Sequence, residues 1–357
     1  MTTDDLARYR QTDASGMSDH LARFPDDLAA AWALGAGLPL AESFPRIARI
    51  VIVGLAEAKL AGEMLAAYAA DLCNVPICVW GGRDLPAFAD GQSTLVILID
   101  HSGSSADLCA ARDLADARGA KMLVISMGGA LAAAAERAGS TLWRYKTAAS
   151  ERAALGWQFG LLLAFFARLG WLRDLDSDMG EAIRVLREEQ PIIGFSVPPT
   201  ENPAKRLAAQ MIGRLPLIYA GGVLIPAARR WKAQIALNGK APALADSLPD
   251  LTLITLSGLA MIPSGIRIGA FCLAAPNEPP HLRAAAEAAR QVFMMEGIVP
   301  DTVTAKGASS LAHLLYAVHF GDYVSLYLAL LTDTDPTPTP ARDEAMAILT
   351  RVETTNN

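Results

Sequence analysis

The chain runs through Thr94-Leu95-Val96-Ile97-Leu98-Ile99 without a charge and then breaks into Asp100-His101-Ser102-Gly103-Ser104-Ser105. An unbroken apolar or β-branched run of this length reads as a strand buried on both faces. A helical pattern from Ala106 to Arg118 follows, so the stretch predicts strand, loop and helix. Short runs of the same kind recur at 50–53, 76–80 and 121–126, interleaved with helical patterns such as 57–70. Strands alternating with helices form a parallel sheet covered on both faces. Farther on, helical patterns at 201–213, 222–238 and 281–296 alternate with strands at 217–220, 266–273 and near Val303. The stretch 251–256 fits either type, and 308–331 reads as one long apolar helix.

The 357 residues suffice for two such units, and 52% hydrophobic against 19% charged residues allows a large core. We expect a helical leader at 1–45, one α/β domain at 46–190, a proline-rich linker at 191–200 and a second domain at 201–357. The charged run Arg184 to Glu189 reads as a solvated face. A net charge of -6 speaks against nucleic-acid or anionic-membrane partners. The acidic start Met1 to Asp5 is no signal peptide, and Leu155 to Leu172 holds Gln158, Arg168 and three glycines, so it reads as a buried helix. Cys73, Cys78, Cys109 and Cys272 lack metal-ligand spacing and read as reduced, buried, cytoplasmic thiols. No metal site or organic cofactor is expected.

The Ser102–Ser105 loop admits two readings. Its hydroxyls, the pliant Gly103 and the free N–H groups of a helix start could hold the phosphate of a sugar. Equally, serine is an ordinary N-cap.

Several stretches together resemble the bifunctional phosphoglucose/phosphomannose isomerases, built from two sugar-isomerase (SIS) domains. Asp13-Ala14-Ser15-Gly16-Met17 with Phe24-Pro25 is similar to the family's leader. His101 to Ser105 stands at its Ser-Gly-Asn-Thr loop, and Glu151-Arg152-Ala153-Ala154-Leu155-Gly156-Trp157 at its Pro-Arg-x-Ala-Leu-Gly-Tyr. Arg230-Trp231-Lys232-Ala233-Gln234-Ile235 opens its Arg-Trp-Lys-x-Gln-Ile-Asn-Glu-Asn-x-Lys motif. Gly321 to Leu328 and Asp335-Pro336 resemble its C-terminal helix and exit.

The resemblance implies an α/β fold of two flavodoxin- or Rossmann-like doubly wound domains, a site between them and a homodimer. It implies aldose–ketose isomerisation of a sugar phosphate through an enediolate. Arg152 falls at the arginine that steadies that charge. Ser102, Gly103, Ser104, Ser105 and Gly54 fall at the phosphate site, and Lys240 at a motif lysine. Other positions depart from the family. Leu237 stands at the glutamate base, Leu253 at the histidine and Met346 at the late lysine. Gly54-Leu55-Ala56-Glu57-Ala58 replaces Gly-x-Gly-Gly-Ser, losing the serine and gaining an acid. His101 is the substitute base by position, and Asp100 is a ligand group or a turn acid. Arg152 binds ligand or pairs with Glu151 or Asp100. His313 and His319 read as core or interface histidines. Arg229, Arg230 and Lys232 read as a solvated helix face with Trp231 packed inward. Two functions stay open: a sugar-phosphate isomerase, or a non-catalytic sugar-phosphate-binding protein.

Overall fold

Parallel strands order both halves of the chain in a computed structural model, which describes residues 3–40, 44–172 and 175–355. Met1, Thr2 and 41–43, at the two ends of the expected leader, lie outside it. Helices α1 (Thr3–Thr12), α2 (Met17–Ala22) and α3 (Phe24–Gly37) form the leader. Then follow β1 (Arg49–Gly54), α4 (Ala56–Ala69), β2 (Ile77–Trp80), β3 (Thr94–Asp100), α5 (Ala106–Ala117), β4 (Lys121–Ser126), α6 (Gly129–Arg137) and β5 (Thr141–Arg144). These strands make one parallel sheet in the order β2-β1-β3-β4-β5. Every residue of β3 is buried, as the uncharged run demands.

Helices α7 (Leu155–Arg168) and α8 (Leu175–Ile193) close this half. The second half runs α9 (Pro203–Met211), β6 (Leu215–Ala220), α10 (Ile225–Leu237), β7 (Leu244–Ser247), α11 (Asp250–Leu253), β8 (Ile268–Ala274), α12 (Pro280–Met295), β9 (Asp301–Thr304), α13 (Ser310–Leu331) and α14 (Pro340–Thr355). Its parallel sheet has the order β7-β6-β8-β9. Sequence patterning missed β5 and β7. Both are four-residue edge strands, and Arg144 and Asp246 interrupt their apolar pattern.

Helix α13 is long and apolar enough to cross a membrane, yet 94% of its apolar window lies inside the protein. It packs on α8, α9 and α10 and forms the core between the halves. Its His313 and His319 are core residues, each 1% exposed. His319 stacks on Phe24, and burial pushes its imidazole down to about 3.

Three expectations are corrected. Glu189 is 2% exposed and bonded to Lys306 Nζ at 2.6 Å, because it shares the inward stripe of α8 with Val185, Leu186 and Ile193. That helix also continues through Pro191 to Ile193, although proline cannot donate the hydrogen bond to the carbonyl one turn back. Arg230 is 1% exposed, not solvated, and donates to Asp322 at 2.8 and 3.0 Å. Of the four free cysteines, Cys272 is buried and the other three are half-buried.

Candidate active site

In the first sheet the chain leaves β1 toward β2 and leaves β3 in the opposite direction, toward β4. The two loops diverge where Gly54 pairs with Ile99, opening a crevice at the carboxyl ends of the strands. Doubly wound sheets bind ligands in this place.

On the β3 side the loop is held largely by its own groups. Asp100 Oδ2 accepts from Ser105 N at 2.9 Å, so Asp100 is the turn acid. Ser105 caps α5, its Oγ accepting from Leu108 N at 3.3 Å. Ser102 Oγ accepts from Ser104 N at 3.2 Å, and the Ser102 and Ser104 side chains are exposed. Each hydroxyl proton stays available to an anion. Gly103 has φ +71°, and a Cβ there would lie 1.8 Å from the Gly128 carbonyl oxygen. The glycine therefore serves a close approach to the next loop. His101 Nδ1 lies 3.0 Å from the Tyr145 hydroxyl. Burial lowers the imidazole pKa, with Asp100 acting in the other direction.

On the β1 side Ala56 holds φ +45°, in the left-handed region that costs an L-residue about 1–2 kcal/mol. This is the third position of Gly54-Leu55-Ala56-Glu57-Ala58, where the resembling motif has glycine. Ala56→Gly is expected to raise stability by about 1 kcal/mol, measured by urea denaturation.

Arg152 pairs with neither Glu151 nor Asp100. Its Nη1 donates to Leu237 O at 3.2 Å, Asn238 Oδ1 at 3.1 Å and Pro336 O at 3.1 Å, and its Nη2 to Thr337 O at 2.6 Å. Lys240 Nζ converges on the same carbonyls, Leu237 O and Pro336 O, the latter at 2.9 Å. Burial lowers the pKa of both cations. Together they pin the segment between α13 and α14 over the end of α10.

Beside them a cavity of about 250 Å3 opens between α4 and α10, with Glu57, Lys59, Arg229, Arg230, Leu237 and Arg342 among its walls. The serine loop stands one strand over and does not line this cavity. Leu253 is far from buried, at 71% exposure on α11. Met346 is also exposed, and the cation that α14 brings to the cavity is Arg342, one helical turn earlier. Arg342 lies 3.7 Å from Glu151. Burial, and then the Glu57 charge, push the Glu151 carboxyl up, while Arg342 pulls it down. Sequence reasoning missed Arg342 because a loose alignment on a helix slips easily by one turn. Arg230 was missed because its partner lies 92 residues away.

A family model of the bacterial phospho-glucose isomerase C-terminal SIS domain matches residues 200–345. A bifunctional phosphoglucose/phosphomannose isomerase of Caldicellulosiruptor bescii is 32% identical over 90% of this chain and 95% of its own. Among solved structures, a glucose-6-phosphate isomerase like protein from Thermus thermophilus superposes with a TM-score of 0.62 at 21% identity, covering 94% of this chain and 95% of that one. The tagatose-6-phosphate ketose/aldose isomerase of Escherichia coli gives 0.67 at 15% identity, over 92% and 97%. The two solved structures establish the fold, the family model marks a SIS domain in the second half, and the Caldicellulosiruptor relative establishes the lineage. The chain belongs to the bifunctional phosphoglucose/phosphomannose isomerase family.

Proposed function

We propose that the chain binds a hexose 6-phosphate between its two SIS domains and isomerises it between aldose and ketose. We divide the chain as 46–190 and 201–357, joined at 191–200, of which 191–193 complete α8. One observation carries the reading: the crevice at the β1/β3 switch point adjoins a cavity that holds both a carboxylate and guanidinium groups. Enediolate chemistry asks for that pair, a base for the carbon-bound proton and a cation for the developing oxygen charge. The hydroxyls of Ser102, Ser104 and Ser105, with the backbone at Gly54 and Gly103, would take the phosphate. The chemistry needs neither metal nor organic cofactor. The relative's name, an isomerase of phosphoglucose and phosphomannose, supports the substrate class.

A second reading, binding without turnover, rests on Leu237, which cannot accept a proton where the family has its base. A coupled assay with fructose 6-phosphate, detecting glucose 6-phosphate and mannose 6-phosphate, beside a thermal-shift titration, separates the two. Turnover with a rising Tm supports the isomerase. A rising Tm alone supports binding, and neither signal refutes both readings.

We also propose a homodimer. Leu253 and Ile254 are 71% and 68% exposed side by side at the end of α11, and large apolar side chains so placed suit a partner surface. Leu253→Asp is expected to shift the elution from dimer to monomer in size-exclusion chromatography with light scattering. An unchanged mass would exclude this face. Neither nucleic acid nor membrane is a partner in this reading, and we place the protein in the cytoplasm.

A further inference from the structure

We propose that Glu57 is the base of the isomerisation, a carboxylate carried by α4 in place of the one lost from α10 at Leu237. The assignment rests on the isomerase reading above.

The geometry starts at Gln234. Its Nε2 lies 3.5 Å from Glu57 Oε1. Gln234 and Leu237 are three apart on α10, so they share a face. Glu57 therefore reaches across the cavity to the helix face that presents Leu237, and both residues line that cavity. The carboxylate has moved from one wall to the other.

The other acids near the cavity are already engaged. Glu63 pairs with Arg229 at 3.1 Å, Glu151 with Arg342 at 3.7 Å and Asp322 with Arg230 at 2.8 Å. Asp100 is held by Ser105 N. His101, the substitute suggested by position, is not among the cavity's lining residues and contacts Tyr145 instead. Glu57 differs from all of these. It is 5% exposed, and among the described residues its hydrogen bonding is that single long contact with Gln234, with no ion pair. A buried carboxylate so poorly satisfied is costly to keep.

A second orphan stands beside it. Arg230 also lines the cavity, and its Nη1 is buried without a partner among the described residues, while its Nε and Nη2 hold Asp322 and the Arg152 carbonyl. Arg230 and Arg342 line the cavity with positive charge, and Arg152, held by four neutral acceptors, adds its own charge beside Glu57.

The step balances without a co-reactant. The ring-opened aldose loses its C2 proton to the Glu57 carboxylate. The C–H electron pair becomes the C1–C2 double bond, and the carbonyl pair moves onto O1 beside the guanidinium groups. The O2 proton passes to O1, the O2 electron pair forms the new carbonyl at C2, and Glu57 returns its proton to C1. The product is the ketose, and the carboxylate is regenerated.

Glu57→Gln tests this in the full-length protein, with fructose 6-phosphate as the probe. The expected result is a fall in kcat of about 100- to 10,000-fold, with the thermal shift produced by fructose 6-phosphate retained. Glu57→Asp should lower kcat with little change in KM. It is the decisive variant if Glu57→Gln does not fold. Glu57→Gln or Glu57→Asp with wild-type kcat, in an active parent, overturns the base assignment and leaves the isomerase reading standing. A parent that binds fructose 6-phosphate without converting it overturns both.

Discussion

Asp322→Ala is expected to destabilise the protein by about 3–5 kcal/mol, because it strands the buried Arg230 guanidinium. The pair is bidentate, at 2.8 and 3.0 Å, with side chains 1% and 2% exposed. Arg230 Nη2 also donates to the Arg152 carbonyl at 2.8 Å, so the lost partner loosens the N-terminal half as well. Replacing both residues together by apolar ones of similar volume should cost much less. Urea denaturation of the two single variants and the double variant measures the difference. Equal losses in all three would show that the ion pair is not what holds α10 to α13.

Gly103→Ala is the second large effect. Alanine at φ +71° carries about 1–2 kcal/mol of strain. Its Cβ would also meet the Gly128 carbonyl oxygen at 1.8 Å and the Ser126 Oγ at 2.6 Å, so the two loops must part. Overpacking of that kind adds about 1–3 kcal/mol. The serine loop would move with the displaced backbone, since Leu131 N is bonded to Gly103 O at 2.9 Å. We expect a loss of about 2–5 kcal/mol in denaturation, together with a weaker thermal shift by fructose 6-phosphate. A wild-type Tm would mean the loops separate freely.

The elements that were legible in the sequence are those whose burial leaves an unbroken pattern. β3 and β4 read directly, because strands covered on both faces tolerate few charges. The edge strands β5 and β7 carry Arg144 and Asp246, and gave no such pattern. Charge misled in the core. Arg230 and Glu189 look solvated one at a time, and each becomes intelligible only with Asp322 or Lys306 beside it, contacts that sequence spacing does not reveal. Two stretches of the resemblance turn out to meet. Trp231 Nε1 donates to Ala317 O at 2.8 Å, and a Cβ on Gly321 would lie 2.0 Å from that nitrogen. The Arg-Trp and Gly-Asp pairs thus interlock α10 with α13, and their spacing reports packing. At the site, the departures Leu237 and Glu57 were both visible in the sequence. Their facing each other across one cavity was not, because it depends on how α4 packs against α10.

Isomerase activity is tested most directly by incubating the protein with fructose 6-phosphate labelled with carbon-13 at C2 and following the label by NMR. Isomerisation requires that the C2 ketose signal fall to its equilibrium value while an aldose 6-phosphate signal grows in its place, at a rate proportional to protein concentration. A ketose signal unchanged after prolonged incubation with stoichiometric protein would contradict it.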